Sequence, residues 1–158
     1  MRGYLLRLVV AVVASLALMA TFAGVASAQS GHFVGTPTCT DQGTTVQCTG
    51  KVAGLGGTTF TINVSAPGTA SVECTNPGGN VAPGQSFTTT VAGSSGPVPT
   101  PRNGQYRFDV STTTPTAPAG SCPNSMWTAT VTDVTFTTAT ITLLEDSTQS
   151  DTITVPVT

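Results

Sequence analysis

Thr58-Thr59-Phe60-Thr61-Ile62-Asn63-Val64-Ser65-Ala66 is the stretch that decides the fold class. Apolar residues recur at every second position, Phe60, Ile62, Val64 and Ala66, with hydroxyl or amide side chains between them. Successive side chains of an extended chain point to opposite faces, so this pattern describes a strand with one buried and one wetted face. Threonine suits the wetted face, because its β-branch favours extended backbone and its hydroxyl gives solubility without charge.

The same alternation recurs on either side. It places Val46, Cys48 and Val52 on one face of a strand near 44–52, and Ala70, Val72 and Cys74 on a separate strand over 69–75. Phe87 and Val91 mark 85–92, Tyr106, Phe108 and Val110 mark 105–112, and Trp127, Ala129 and Val131 mark 126–132. The phase slips at Val134 and Phe136, returns for Ala139, Ile141 and Leu143, and so predicts a bulge or tight turn near Asp133. Ile153, Val155 and Val157 close the chain. Sustained helical periodicity is missing after residue 28. About eight short strands at this spacing predict an all-β chain folded as one immunoglobulin-like two-sheet β-sandwich.

Between the strands lie turn residues with mechanisms. Gly54-Leu55-Gly56-Gly57 offers positive φ angles, and Asn76-Pro77-Gly78-Gly79-Asn80 followed by Pro83-Gly84 reads as consecutive turns. Longer loops are expected over 93–104 and 113–125, the second rich in proline.

The N-terminus carries an address. Arg2 and Arg7 precede an apolar run from Leu8 to Phe22, and Ala26-Ser27-Ala28 supplies the small residues of a signal-peptidase site. The expected organisation is a signal peptide over 1–28, an N-terminal extension over 29–38 and a disulfide-bonded domain over 39–158. The uncharged stretch from Leu8 to Ala28 is also long enough for a membrane anchor, but it weakens toward its end through Thr21, Gly24 and Ser27. Export with cleavage, and a secreted, extracellular protein, is the expectation.

In an oxidising compartment four cysteines are read as two bridges. Cys39 and Cys48 flank a segment centred on Asp41-Gln42-Gly43 that suits a hairpin, which pairs them locally and leaves Cys74 for Cys122. Short Cys/His spacings of a metal site do not occur, and His32 is the only histidine.

Cys74-Thr75-Asn76-Pro77-Gly78-Gly79-Asn80, Ala82-Pro83-Gly84-Gln85 and Cys122-Pro123-Asn124, with Trp127 close behind, resemble a group of small, largely uncharacterised secreted bacterial proteins, best known from filamentous actinobacteria. The likeness extends over most of the mature chain, including Val52-Ala53-Gly54-Leu55-Gly56 and Val131-Thr132-Asp133-Val134-Thr135-Phe136. It implies export and a β-rich domain, and brings no activity or catalytic residue with it.

Charge excludes several partners. After residue 28 only Lys51, Arg102 and Arg107 stand against seven acidic residues, a net charge of −4. Nucleic acid needs a basic patch to replace phosphate counterions, and anionic lipid needs the same. Neither is expected as a partner, and no cofactor is. Threonine, by contrast, supplies 31 of the residues after 28.

The chemistry-bearing residues are sparse. Gly93-Ser94-Ser95-Gly96 lacks the spacing of a serine nucleophile elbow, and His32 lies where a mature N-terminus would fray. Glu145, Asp146 and Asp151 share one hairpin tip, a weak calcium candidate without the spacing of an EF-hand loop; Glu73 and Asp109 face outward on strands. Trp127 and Tyr106 are the aromatic candidates for a sugar platform, with Asn76 and Asn80 as polar neighbours, though both rings fall on core-facing registers. The threonine runs Thr88-Thr89-Thr90 and Thr135 to Thr142 are candidates for a hydroxyl array. The expectation is a non-enzymatic protein contacting an extracellular surface, envelope or matrix, with cell-wall polysaccharide, other extracellular polysaccharide or protein as partner. A carbohydrate- or small-ligand-binding module is the alternative, and a secreted hydrolase ranks last.

Overall fold

The computed structural model describes residues 31–158; the expected signal peptide lies outside the described residues. Among those described, every regular element is a strand. In chain order they are β1 (His32–Phe33), β2 (Thr38–Asp41), β3 (Val46–Ala53), β4 (Thr59–Thr75), β5 (Val81–Pro83), β6 (Phe87–Ser94), β7 (Val98–Pro99), β8 (Tyr106–Ser111), β9 (Thr128–Phe136), β10 (Thr138–Glu145) and β11 (Thr148–Pro156). They form two antiparallel sheets. In the smaller, β3 is central, with β8 on one edge and β2 and β1 sharing the other. In the larger, everything is organised on β4: β7, β6 and β5 follow one side of it, β10 and β9 follow the other, and β11 pairs with β10.

The alternation that announces β4 continues further than expected. Two strands over 58–66 and 69–75 are in fact one strand of 17 residues that runs straight through Pro67-Gly68. Proline normally interrupts a central strand because it has no N–H for the ladder. Here the position tolerates it. Even-numbered backbone groups of β4 turn toward the β6 side, where Ile62 O accepts from Ser95 and Val72 O accepts from Gly84. Odd-numbered ones therefore turn toward β9 and β10. Pro67 falls in the gap on that side, between the Gly68↔Phe136 pair of β9 and the Ser65↔Thr140 pair of β10. The missing donor costs the sheet nothing.

The phase slip near Asp133 is a register shift in the β4–β9 ladder, where Ser71 pairs with Asp133 and Val72 with Val131. The short strands β1, β5 and β7 arise in segments read as extension, turn and loop, because their pairing comes from β3 and β4 rather than from their own sequences. His32, expected to fray, is held in β1 opposite Ala53.

The two sheets close on one core. Phe60, Ile62, Val64, Ala66, Ile141 and Leu143 from the larger sheet meet Val46, Cys48, Val52, Phe108 and Val110 from the smaller. Full burial of each large aliphatic or aromatic side chain contributes about 1.5–3 kcal/mol. Phe60 also stacks at an angle on Tyr106, ring centroids 4.9 Å apart, and Phe33 meets Phe108 edge-on at 6.0 Å. Both corners are fastened: Asp41 N–H donates to Thr158 O and Thr158 N–H to Cys39 O on one side, and Thr113 N–H to Ala92 O on the other. Cys39 and Cys48 sit directly opposite in the β2–β3 hairpin and are bonded, as are Cys74 and Cys122. The core cluster ends at Ala70. Val72 and Cys74 are buried outside it, beneath the loop that carries Ser121 and Cys122.

Candidate functional site

The two aromatic candidates do not meet. Tyr106 lies half-buried against Phe60 at one end of β4, whereas Trp127 precedes Thr128, which pairs with Thr75 at the other end. Trp127 is half-buried and lines a cleft of about 410 Å³ with the 117–125 loop and Ala129. Asn76 spends its side chain inside its own turn: Oδ1 accepts the Asn80 N–H at 2.9 Å, and its carbonyl accepts the Gly79 N–H at 2.9 Å. Gly79, at φ 80°, makes that turn possible. Asn76 and Asn80 thus shape the β4–β5 turn, and Met126, next to Trp127 in the chain, is 71% exposed.

The acidic tip behaves unlike a solvated turn. Glu145, the last residue of β10, is fully buried. Its carboxylate accepts backbone N–H groups from Gly56 at 2.7 Å, Gly57 at 3.3 Å and Gly31 at 3.0 Å. Asp146 is exposed and accepts from the Thr58 N–H and hydroxyl and from the Thr59 N–H. Hydrogen bonding by the Thr58 hydroxyl, then by the Thr59 and Thr58 amides, lowers its pKa to about 2. Asp151 accepts the Phe33 N–H at 2.9 Å. These three calcium candidates are engaged with backbone donors, and among the described residues no cluster of three or more His, Cys, Asp or Glu side chains is placed to hold a metal ion. What sequence reasoning missed was the role of Gly57. Its backbone φ is ordinary, but a side chain there would strike the Asp146 carboxylate, with a Cβ only 2.7 Å from Oδ2. The glycine pair opposite an acidic hairpin was the available signal.

The hydroxyl array is the most extensive polar feature. Odd-numbered side chains of β4 face outward, and neighbouring strands align with them: Thr69 lies between Thr88 and Thr135, Ser65 between Ala92 and Thr140, and Asn63 between Ser94 and Thr142. β11 adds Thr154 and Thr152 opposite Thr140 and Thr142. The result is a face of hydroxyl and amide side chains crossing four strands. At its centre, where β9 gives way to β10, a notch of about 530 Å³ opens between Pro67, Gly68, Thr69, Thr88, Thr89, Thr90, Thr135 and Thr137. Among the described residues, none of those lining it is charged or aromatic.

The serines near 94–96 are structural: Ser95 Oγ accepts the Ile62 N–H and donates to Gly96 O. No protein-family model, curated protein or solved structure matches this chain.

Proposed function

We propose that this chain is a secreted, non-catalytic protein with an immunoglobulin-like sandwich that contacts an extracellular surface, envelope or matrix through the outer face of its larger sheet. The carrying observation is that face itself: hydroxyl and amide side chains aligned across β6, β4, β10 and β11, on a rigid scaffold fastened at both corners. Two disulfides suit an exported protein, and no helix among the described residues is long and apolar enough to cross a membrane. The signal-like segment over 1–28 supplies the route.

The test is retention. The natural protein is expected to stay on washed cell envelopes and to be released when Thr140, Thr142, Thr152 and Thr154 are all changed to lysine. A protein found wholly free in the medium, or retained equally with a charged face, defeats the proposal. The half-buried Trp127 favours a second reading, a small-ligand module at the distal cleft. A ligand entering there changes tryptophan fluorescence, and a flat titration with soluble envelope fragments removes it.

A further inference from the structure

We infer that the notch at Pro67 is a binding site for a neutral, polyhydroxylated ligand, a segment of uncharged glycan. The inference rests on the proposed reading of this sheet face as the contact surface and assigns it a ligand class. The notch has a structural cause. β4 continues through Pro67, paired with Thr90 of β6, while its other neighbour breaks between Phe136 and Thr138, so the sheet surface opens on the side where the proline meets neither β9 nor β10.

Its lining then selects the chemistry. Among the described residues no carboxylate lines it to hold a cation, and no lysine or arginine lines it to hold a phosphate or uronate. Lys51 and Arg107 are paired positions on β3 and β8, in the opposite sheet. A purely apolar ligand would strip water from the threonine hydroxyls and give no hydrogen bond back. A sugar ring matches threonine on both counts, offering C–H surface to the methyl groups and hydroxyls to the hydroxyls.

The state of those hydroxyls separates the notch from the β10–β11 edge of the face. On β10 and β11, Thr140 and Thr154 bond to each other at 3.0 Å, and the Thr142 and Thr152 oxygens lie 3.5 Å apart. Around the notch, the hydroxyls of Thr69, Thr88, Thr90, Thr135 and Thr137 have no hydrogen-bond partner among the described residues, and all five residues are exposed. Donors and acceptors from three segments therefore converge on one opening uncommitted. With no aromatic platform, each contact is weak, so a single site binds at about millimolar strength and a polymer gains by repetition.

The experiment is a backbone amide titration of the isotope-labelled protein secreted from the full chain. The probes are cellopentaose, maltopentaose, chitopentaose and mannopentaose, with an oligogalacturonate as the acidic comparison. Saturable shifts confined to 67–69, 88–90 and 135–137 are expected with a neutral probe and not with the acidic one. Thr88→Val with Thr135→Val removes two hydroxyls at nearly constant shape and is expected to weaken binding about tenfold. Thr140→Val with Thr154→Val, which removes a mutually bonded pair, is expected to leave it unchanged. No saturable shift with any neutral probe overturns the inference, as does equal binding by the Thr88/Thr135 variant or a shift pattern centred on 117–127. Should that variant fail to fold, the map of shifts on the parent protein still decides. Envelope retention that persists without any glycan binding overturns this inference and leaves the surface-contact reading standing.

Discussion

The two ends of β4 are held by different chemistry. At its start, Glu145 and Asp146 gather backbone N–H groups from Gly31, Gly56, Gly57, Thr58 and Thr59, and the strand passes directly into the shared core through Phe60 and Ile62. At its end, beyond Ala70, it leaves the core shared with the second sheet; Val72 and Cys74 lie under the irregular loop carrying Ser121, and Cys74 is bonded to Cys122. One end is a charge-assisted clamp on a packed core. The other is a covalent staple over a thin layer. The contrast teaches that a sandwich can outgrow its second sheet where a cross-link replaces lost burial, and it predicts separate sensitivities: acid for the first end, reductant for the second.

The largest expected effect comes from the staple. Cys74 and Cys122 are 48 residues apart, and changing both to serine is expected to lower stability by about 4 kcal/mol on the chain-entropy account. The sharper readout is local. Protease cleavage and amide exchange should rise across 113–125 and the end of β4, while β3 and β10 stay protected, because Ile62, Ile141 and Val52 remain fully buried. Uniform loosening of both regions would break the comparison.

Next in size is the clamp. Glu145→Gln places an amide NH2 among donors that already point at the site, in a pocket with no exposure to water. The expected loss is about 3 kcal/mol by denaturant unfolding, since buried donors are left poorly matched. Amide exchange should accelerate at Gly31, Gly56 and Gly57 and leave the 113–125 loop untouched. A loop that loosens equally would mean the two ends are coupled through β4.

How much of this was legible depends on the range of the interactions. The buried face of β4 and the Cys39–Cys48 pair could be read locally, because period-two alternation at Phe60 to Ala66 and the hairpin between Cys39 and Cys48 are properties of neighbouring residues, and Cys74–Cys122 followed as the pair left over. The continuity through Pro67 was hidden, since it depends on where β9 hands over to β10, some seventy residues away by chain position. The burial of Glu145, legible in sequence only as part of an acidic hairpin tip, was hidden for the same reason. Its donors arrive from Gly31 and Gly56, 114 and 89 positions away, and nothing beside Glu145 announces them. The notch was illegible too: the threonines are visible in sequence, the gap that makes them converge is not.

A smaller effect of opposite sign is expected at the β10–β11 turn. Asp146 and Ser147 both have positive φ, 45° and 70°, the two-residue geometry that favours Asn-Gly or Asp-Gly. Ser147 makes no compensating contact comparable to those of Asp146. Ser147→Gly is therefore expected to raise stability by about 1 kcal/mol, seen as a higher denaturation midpoint with an unchanged slope. No gain would mean that the strain is already relieved by the strands that close the turn.

The gentlest probe of the comparison is acid acting on Asp146. Its pKa falls from 3.8 to about 2 because the folded protein bonds its ionised form, first through the Thr58 hydroxyl and then through the Thr59 and Thr58 amides. A depressed carboxylate contributes stability that is complete above its unfolded value, near 3.8, and is lost as pH falls through about 2. The side chain is exposed, so water and salt screen the contribution and the change in stability is small. Titrating the Asp146 carboxyl resonance should give its midpoint near the folded value, and Asp146→Asn should flatten the stability profile across that interval. Reductant should lower the whole stability profile yet leave the Asp146 midpoint in place, because the Cys74–Cys122 staple lies at the other end of the strand. A midpoint near 3.8 would show that the Thr58 and Thr59 contacts are not maintained in solution, and the acid sensitivity assigned to this end of the strand would then fall.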